Sequence, residues 1–312
     1  MRIYTLAIAW NWEFDQDFIT GIERECAMKG LSTYRIDPQN LQQMLKEIQS
    51  GEVAFRAFFD RASDADTGFL PLIRIMESAG VYYINPFHRV VLAVDKATMH
   101  LELITHGIHV PYTVILAPYN RTVEFEINAI GFERIGRPFV IKPANTTGGG
   151  TGVVLNARTL DDVARTRQDH KDDKYLLQEV IVPKQLDGKR AWFRCYCVFN
   201  KIIPCWWDDV THMYTELLPE EETRFGLEGL RTTMRVIQEI CKLDFFSSEI
   251  ALTEDGRFVV VDYVNEVCDM RLKSKYANGA PDTIVHTIEG LIAKQVALHV
   301  HDIENAGMTG TG

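Results

Sequence analysis

Two adjoining stretches carry acids and amides where a buried strand would carry apolar side chains. "SSEIALTEDGRFVVV" (247–261) and "DYVNEVCDMR" (262–271) read as two strands joined at Asp255-Gly256, a pair suited to a two-residue hairpin turn because both central positions need positive φ. Pairing Glu254 with Arg257 and counting outward sets Glu249 opposite Asp262, with side chains on one face about 5 Å apart. Like charges so placed are unfavourable. Either one carboxyl keeps its proton or a cation bridges the two, and Mg²⁺, a hard ion that keeps its waters, suits the pair, with Mn²⁺ as a substitute. The alternative is a solvated, charged sheet face. An ideal strand puts Asn265 on the opposite face from Asp262, so a bulge or the strand's end must rotate it; without one, Glu266 is the alternative ligand.

"KPANTTGGGTGV" (142–153) supplies a second element. Three consecutive glycines between two strands let backbone amides approach a phosphate without side-chain obstruction, and Lys142 would bring charge from the preceding strand. It is not a Walker loop, because the Gly-Lys-Ser/Thr ending is absent; the plainer reading is a flexible turn after a strand-end lysine. Lys96 lies in the first turn of a helix, where it opposes the dipole unless an anion binds there. In "AWFRCYCVFN" (191–200), Phe193, Cys195, Cys197 and Phe199 share an apolar face, while Trp192, Arg194 and Tyr196 share the other. Arg194 therefore projects beside aromatics, toward a phosphate or into an ion pair. "LLQEVIVP" (176–183) reads as a strand leading into a hinge whose backbone could meet an adenine edge. The histidines at 88, 100, 106 and 109 lack ligand spacing and are read as structural.

These residues need a scaffold. "IYTLAIAW" reads as a buried strand, followed by a helix through Phe18, Ile22 and Cys26, a helix over "IDPQNLQQMLKEIQSG", strand "AFRAFFD", helix "GFLPLIRIMESAG" and strand "VYYIN". Strands alternating with helices imply a parallel, Rossmann-like sheet over residues 1 to about 88. Beyond it come a helix capped by Asp95 and stopped by Gly107, strands flanking the glycine run, a hairpin around Asn200, an amphipathic helix through Leu230, Met234, Ile237 and Cys241, the acidic hairpin, and a closing helix to about residue 300.

A chain of 312 residues suits two or three packed subdomains, and 46% apolar residues give it enough surface to bury. A net charge of −10 weighs against a nucleic-acid-binding face. Six scattered cysteines lack paired ligand spacing and are read as reduced thiols. No stretch approaches the roughly 18 apolar residues of a membrane span, and the start lacks the layout of a signal peptide, so a cytoplasmic location is expected.

In order along the chain these segments resemble the ATP-grasp superfamily, in its carboxylate-amine ligase branch, which includes D-alanine:D-alanine ligase, glutathione synthetase and ribosomal-protein glutamate ligase. "MESAGVYYIN" is similar to the segment closing that family's first domain, and "DKATMHLELITHGIHVPYT" to its Asp-Lys helix and following strand. "RPFVIKPANTTGGGTGVVL" resembles its phosphate-loop hairpin, "YLLQEVI" its adenine hinge, and the acidic hairpin its Mg²⁺ site. The resemblance covers about residues 75 to 275. It implies a mixed α/β and α+β fold: a Rossmann-like domain over 1–88, a small lobe over 89–180, a large lobe over 181–304, and a flexible tail over 305–312.

The same resemblance implies that ATP and Mg²⁺ bind. Lys96 and Lys142 would contact phosphates, Thr147, Gly148, Gly149, Gly150, Thr151 and Gly152 would fold over them, and Gln178, Glu179 and Ile181 would line the adenine pocket. Glu249, Asp262 and Asn265 would hold Mg²⁺, with Arg194 steadying the transferred group. The implied partners are ATP and a small carboxylate-bearing substrate, joined to an amine or thiol through an acyl phosphate; dimers are common among such relatives. A small-molecule kinase of the same fold and a nucleotide-binding module without turnover are the alternatives. The chain departs from the pattern near the acceptor region: the metal strand's Glu-x-Asn is here Asp262-Tyr-Val-Asn265, a Gly-rich substrate loop is replaced by "WWDDVTHMYTELLPEEE", and "VCDMRLKS" follows the Asn. Arg271, Lys273 and Lys275 could receive a carboxylate or phosphate there, or be solvated charges.

Overall fold

The computed structural model describes residues 1–122, 124–125, 129–146 and 150–309. The alternation read from the sequence forms β1 (Arg2–Trp10), α1 (Gln16–Met28), β2 (Thr33–Ile36), α2 (Leu41–Gln49), β3 (Val53–Arg61), α3 (Leu70–Ser78) and β4 (Tyr82–Ile84). The strands pair in parallel in the order β2-β1-β3-β4. β1 is apolar on both sides because both faces of the sheet are covered. Ala7, Ala9 and Phe58 pack on Met44 of α2 and on Leu72 and Ile73 of α3.

The change of pattern near residue 89 hides a helix that periodicity does not reveal, α4 (Phe87–Val94), entered behind Pro86. It runs almost directly into α5 (Lys96–Thr105), where Asp95 caps by accepting from the Thr98 amide at 2.9 Å. β5 (Thr113–Leu116), α6 (Ala129–Ile135), β6 (Phe139–Pro143), β7 (Val154–Ala157), α7 (Leu160–Thr166) and β8 (Tyr175–Glu179) follow. Their strands make a small antiparallel sheet in the order β5-β8-β6-β7, packed on Ile135 and Val163 of the two helices.

After the short β9 (Gln185–Leu186) and β10 (Lys189–Arg190) come β11 (Trp192–Val198), β12 (Lys201–Trp207), β13 (Tyr214–Glu216), α8 (Pro219–Phe225), α9 (Glu228–Cys241), β14 (Phe245–Leu252), β15 (Phe258–Asn265) and α10 (Asp282–Thr309). The last long strands form an antiparallel sheet, β13-β12-β11-β14-β15. One face carries Phe193, Cys195, Cys197, Phe246 and Ile250 against α5 and the apolar stripe of α9. The other is not simply polar: Tyr196, Val198 and Phe245 are buried under α10 and the near face of the parallel sheet. Farther along β11 and β14 this face turns charged at Arg194 and Glu249. All six cysteines are buried and free. Among the described residues no helix is long and apolar enough to cross a membrane. The closing helix continues past residue 300 to Thr309.

Candidate active site

The acidic hairpin brings its acids together by a route different from the expected one. The two-residue turn does not form. Thr253 N–H donates to the Arg257 carbonyl at 3.0 Å and Gly256 N–H to the Thr253 carbonyl at 2.9 Å. The loop is thus the three residues 254–256, closed by Gly256 at φ +82°, a left-handed position that a residue without Cβ takes without strain. Glu254 therefore does not pair with Arg257, and the tip pairs are Leu252 with Phe258, Ala251 with Val259 and Ile250 with Val260. Continued without interruption, that register would set Glu249 opposite Val261. A shift after Ile250 makes Val261 the extra residue, and Glu249 meets Asp262 after all. A second shift leads to Ser247 opposite Asn265, so Asn265 joins Asp262 on one face.

The bulged backbone is used. Lys142 Nζ donates to the Val261 carbonyl at 2.9 Å, and the Ser248 hydroxyl donates to the Tyr263 carbonyl. Across the sheet Arg194 is the partner of Glu249 on the other side, so Arg194, Glu249 and Asp262 stand in one row over three strands. Arg194 Nη2 pairs with Glu249 Oε1, Trp192 Nε1 donates to Glu249 Oε2 at 3.1 Å, and Arg194 Nη1 donates to Ser247 Oγ at 3.3 Å. With its amide oxygen turned toward Arg194, Asn265 accepts from Nη1 at 3.2 Å and donates to the Val267 carbonyl at 3.1 Å. The Arg194 Nε is buried without a partner.

Two lysines close on the row from other elements. Lys96, at the start of α5, places Nζ 3.5 Å from Asp262 Oδ1. Lys142, near the end of β6, is 7% exposed. Burial pushes its ammonium down to about 8, with Lys96 adding to the depression while Asp262 and Glu249 oppose it. Burial alone would raise the Asp262 carboxyl, but Lys96, Lys142 and Arg194 outweigh it and hold the group down at about 2. Three cations thus face two carboxylates, a balance that leaves positive charge for an anion. Among the described residues no group of three or more His, Cys, Asp or Glu could hold a metal ion.

Behind the lysines lies a buried polar network. Tyr263 Oη is 2.7 Å from His100 Nδ1 and accepts from Gln178 Nε2 at 2.7 Å; Gln178 Nε2 also reaches Thr113 Oγ1 at 3.0 Å. Gln178 is therefore turned inward. Glu179 accepts from the Tyr112 amide at 2.7 Å, bridging the end of β8 to the entry of β5, and Ile181 lies half-buried in the following connection. His100, read as structural, has no free ring nitrogen at Nδ1, and burial together with Lys142 lowers its pKa to about 4. Of the glycine-rich run, Thr147, Gly148 and Gly149 lie outside the described residues; Gly150 and Gly152 take φ of +81° and +73°.

Glu266 is placed away from the row. It is 7% exposed, accepts from Asn85 Nδ2 at 2.9 Å, and burial pushes its carboxyl up to about 8. Nearby, Arg61 is paired in the interior with Asp15 at 2.6 Å and donates to the Cys268 carbonyl at 2.8 Å. No spacing signal marks Asn85, Asp15 or Arg61, which lie far from the hairpin in sequence. The three basic candidates after β15 all have partners: Arg271 is bidentate with Asp269 beside the rings of Trp12 and Tyr276, Lys273 donates to the Tyr214 carbonyl, and Lys275 pairs with Asp17 at 2.7 Å.

No protein-family model matches the sequence, and no curated protein matches it. Solved structures do. The crystal structure of D-alanine–D-alanine ligase from Bacillus anthracis complexed with ATP aligns with a TM-score of 0.63 at 14% identity, over 97% of this chain and 99% of that one. A RimK domain protein ATP-grasp from Sphaerobacter thermophilus gives 0.62 at 18% identity, over 93% and 99%. The ATP-grasp ligase PsnB, complexed with minimal precursor, Mg and ADP, gives 0.62 at 14%, over 95% and 98%. Such likeness at low identity is one of architecture, and it extends over nearly the whole length of each partner: the chain has the ATP-grasp fold.

Proposed function

We propose that the protein is an ATP- and Mg²⁺-dependent carboxylate–amine ligase acting through an acyl phosphate. The observation that carries this reading is the row Arg194, Glu249, Asp262, joined on the same face by Asn265 and met by Lys96 and Lys142 from two other elements. Glu249, Asp262 and the Asn265 amide oxygen are hard oxygen donors, a set that would hold an Mg²⁺ ion. When bound, that ion supplies charge neutralisation at the β- and γ-phosphates.

The chain's own residues do the rest by position and charge. Lys96 and Lys142 bind phosphate oxygens, and Arg194, anchored by Glu249 and Ser247, faces the group that leaves ATP. The γ-phosphoryl passes to a substrate carboxylate, ADP leaves, and an amine then displaces phosphate from the acyl carbon. Ligases of the same architecture bound to ATP, or to Mg and ADP with a minimal precursor, support the reading.

The test is a screen of amino-acid and small-acid pools for Mg²⁺-dependent ADP release, with hydroxylamine as the trapping amine. A hydroxamate is expected, and Glu249→Gln should reduce ADP release at least a hundredfold. A stable phosphorylated hydroxyl product without hydroxamate would assign a kinase instead. ATP binding with Mg²⁺ dependence unaltered by Glu249→Gln would leave only a nucleotide-binding module.

A further inference from the structure

The turn between α7 and β8 takes no part in the row described above, yet it holds a carboxylate bonded four times to the first leg of the glycine-rich hairpin. Asp173 is 7% exposed and accepts four hydrogen bonds from two successive residues of that hairpin's first leg. Its Oδ2 accepts from the Asn145 amide at 2.9 Å, the Thr146 amide at 3.0 Å and the Thr146 hydroxyl at 2.7 Å; its Oδ1 accepts from Asn145 Nδ2 at 2.9 Å. A carboxylate so occupied has little capacity left for a ligand. Its chemistry is spent on holding chain.

The next residue extends the hold to a different element. Lys174 Nζ pairs with Asp95 Oδ2 at 2.5 Å, and its carbonyl accepts from the Ala144 amide at 2.8 Å. Asp95 is the cap of α5, and the Lys96 amide donates to the Ala144 carbonyl at 3.0 Å. The second leg passes close by the same turn: a Cβ at Gly152 would stand 3.2 Å from His170 Nε2 and 3.1 Å from the Pro143 ring. The turn thus holds the first leg of the hairpin and ties it to the helix start that presents Lys96.

We propose that Asp173, seconded by Lys174, is a positioning residue: it sets Asn145 and Thr146, on the first leg of the glycine-rich hairpin, against the start of α5, so that Lys96 and Lys142 meet a triphosphate in one fixed arrangement. The proposal rests on the nucleotide-binding part of the reading above. Its effect belongs to the β- and γ-phosphates rather than to the adenosine end, because neither residue touches the β8 connection beyond Glu179.

The test compares the full chain with Asp173→Ala, Asp173→Asn and Lys174→Met. In nucleotide-free protein, hydrogen exchange at the Asn145 and Thr146 amides should accelerate at least tenfold in Asp173→Ala. Mg²⁺–AMP-PNP should bind at least tenfold more weakly, with AMP affected less than threefold. Asp173→Asn keeps the oxygen that takes three of the four bonds and loses only the one from Asn145 Nδ2, so its AMP-PNP affinity should return to within about fivefold. Lys174→Met should weaken AMP-PNP threefold to tenfold, and it carries the test if Asp173→Ala does not fold. Unchanged exchange, or equal weakening of AMP-PNP and AMP, would overturn the proposal. Wild-type protein that takes up no AMP-PNP would instead sink the ligase reading, while the exchange measurement still decides whether Asp173 is the clamp.

Discussion

Lys142 shows how a single residue can be costly to the fold and useful to the site. Its ammonium sits at about 8 in the folded chain against 10.5 for an ordinary lysine. Between those values the unfolded chain holds a proton that the folded one has lost, so stability rises with pH across the window. The cost is full below about 8, and at about 1.4 kcal/mol per unit it reaches roughly 3 kcal/mol. Lys142→Met should therefore stabilise nucleotide-free protein at pH 7 by about 1–2 kcal/mol, after allowing about 1 kcal/mol for the lost bond to Val261. The gain should vanish by pH 10.5, and AMP-PNP binding should be lost. Denaturant titrations at the two pH values check this; a variant less stable than wild type at pH 7 would mean the charge is already compensated in the folded state. The Arg194–Glu249 pair carries the opposite sign. Glu249→Gln removes the charge paired with the part-buried Arg194 guanidinium, and the same titrations should show a loss of about 2 kcal/mol alongside the lost ADP release.

At the level of elements, the acids are aimed by β15, whose two bulges decide which side chains reach the row. The start of that strand is fixed by a close contact: a Cβ on Gly229 of α9 would lie 2.2 Å from the Phe258 ring. Gly229→Ala gains helix propensity of up to about 1 kcal/mol, but it must displace an aromatic ring at the first residue of β15. The expected net result is a loss of about 1–2 kcal/mol and a weaker Mg²⁺–AMP-PNP complex, because the strand bearing Asp262 shifts with Phe258. Thermal denaturation and nucleotide titration on the same sample test it. A stabilised protein with unchanged affinity would show that Phe258 can move without moving the strand.

For the molecule as a whole, α10 is the seam between the parallel sheet and the five-stranded sheet. Ile284, Ile288 and Ile292 share one cluster with Leu6 and Phe59 on one side and Val198 and Phe245 on the other. At its contact with α1 the Glu289 carboxyl occupies the space beside Gly21, 2.0 Å from where a Cβ would stand, with Arg24 at 3.2 Å and His286 at 3.0 Å as its partners. Gly21→Ala would drive a buried carboxylate off those partners. A fall in unfolding free energy of about 2–3 kcal/mol is expected, larger than for alanine at an open surface position of α1. Equal effects at the two positions would show that the helices can separate there at little cost.

Local signals are enough for the alternation that gives a parallel sheet over the first eighty-odd residues, the Asp95 cap, the hairpin around Asn200 (Phe199, expected on the apolar face with Phe193, sits instead in its turn at φ +53° against the opposite cluster), and the facing of Glu249 and Asp262. Even there the facing was reached through a turn that does not form. A three-residue loop and a bulge at Val261 offset one another by one residue, and no periodicity reveals a bulge whose carbonyl is taken by Lys142, more than a hundred residues away. Helix α4 was hidden because a short, nearly all-apolar run has no period to read. Tertiary structure alone decided that Asn265 joins the acids while Glu266 turns to Asn85, that Gln178 points inward to Tyr263, and that Asp173 holds the hairpin's leg. Each of these depends on a partner distant in the chain, and a side chain's choice between a ligand and a neighbour is made by what the fold places within about 3 Å of it.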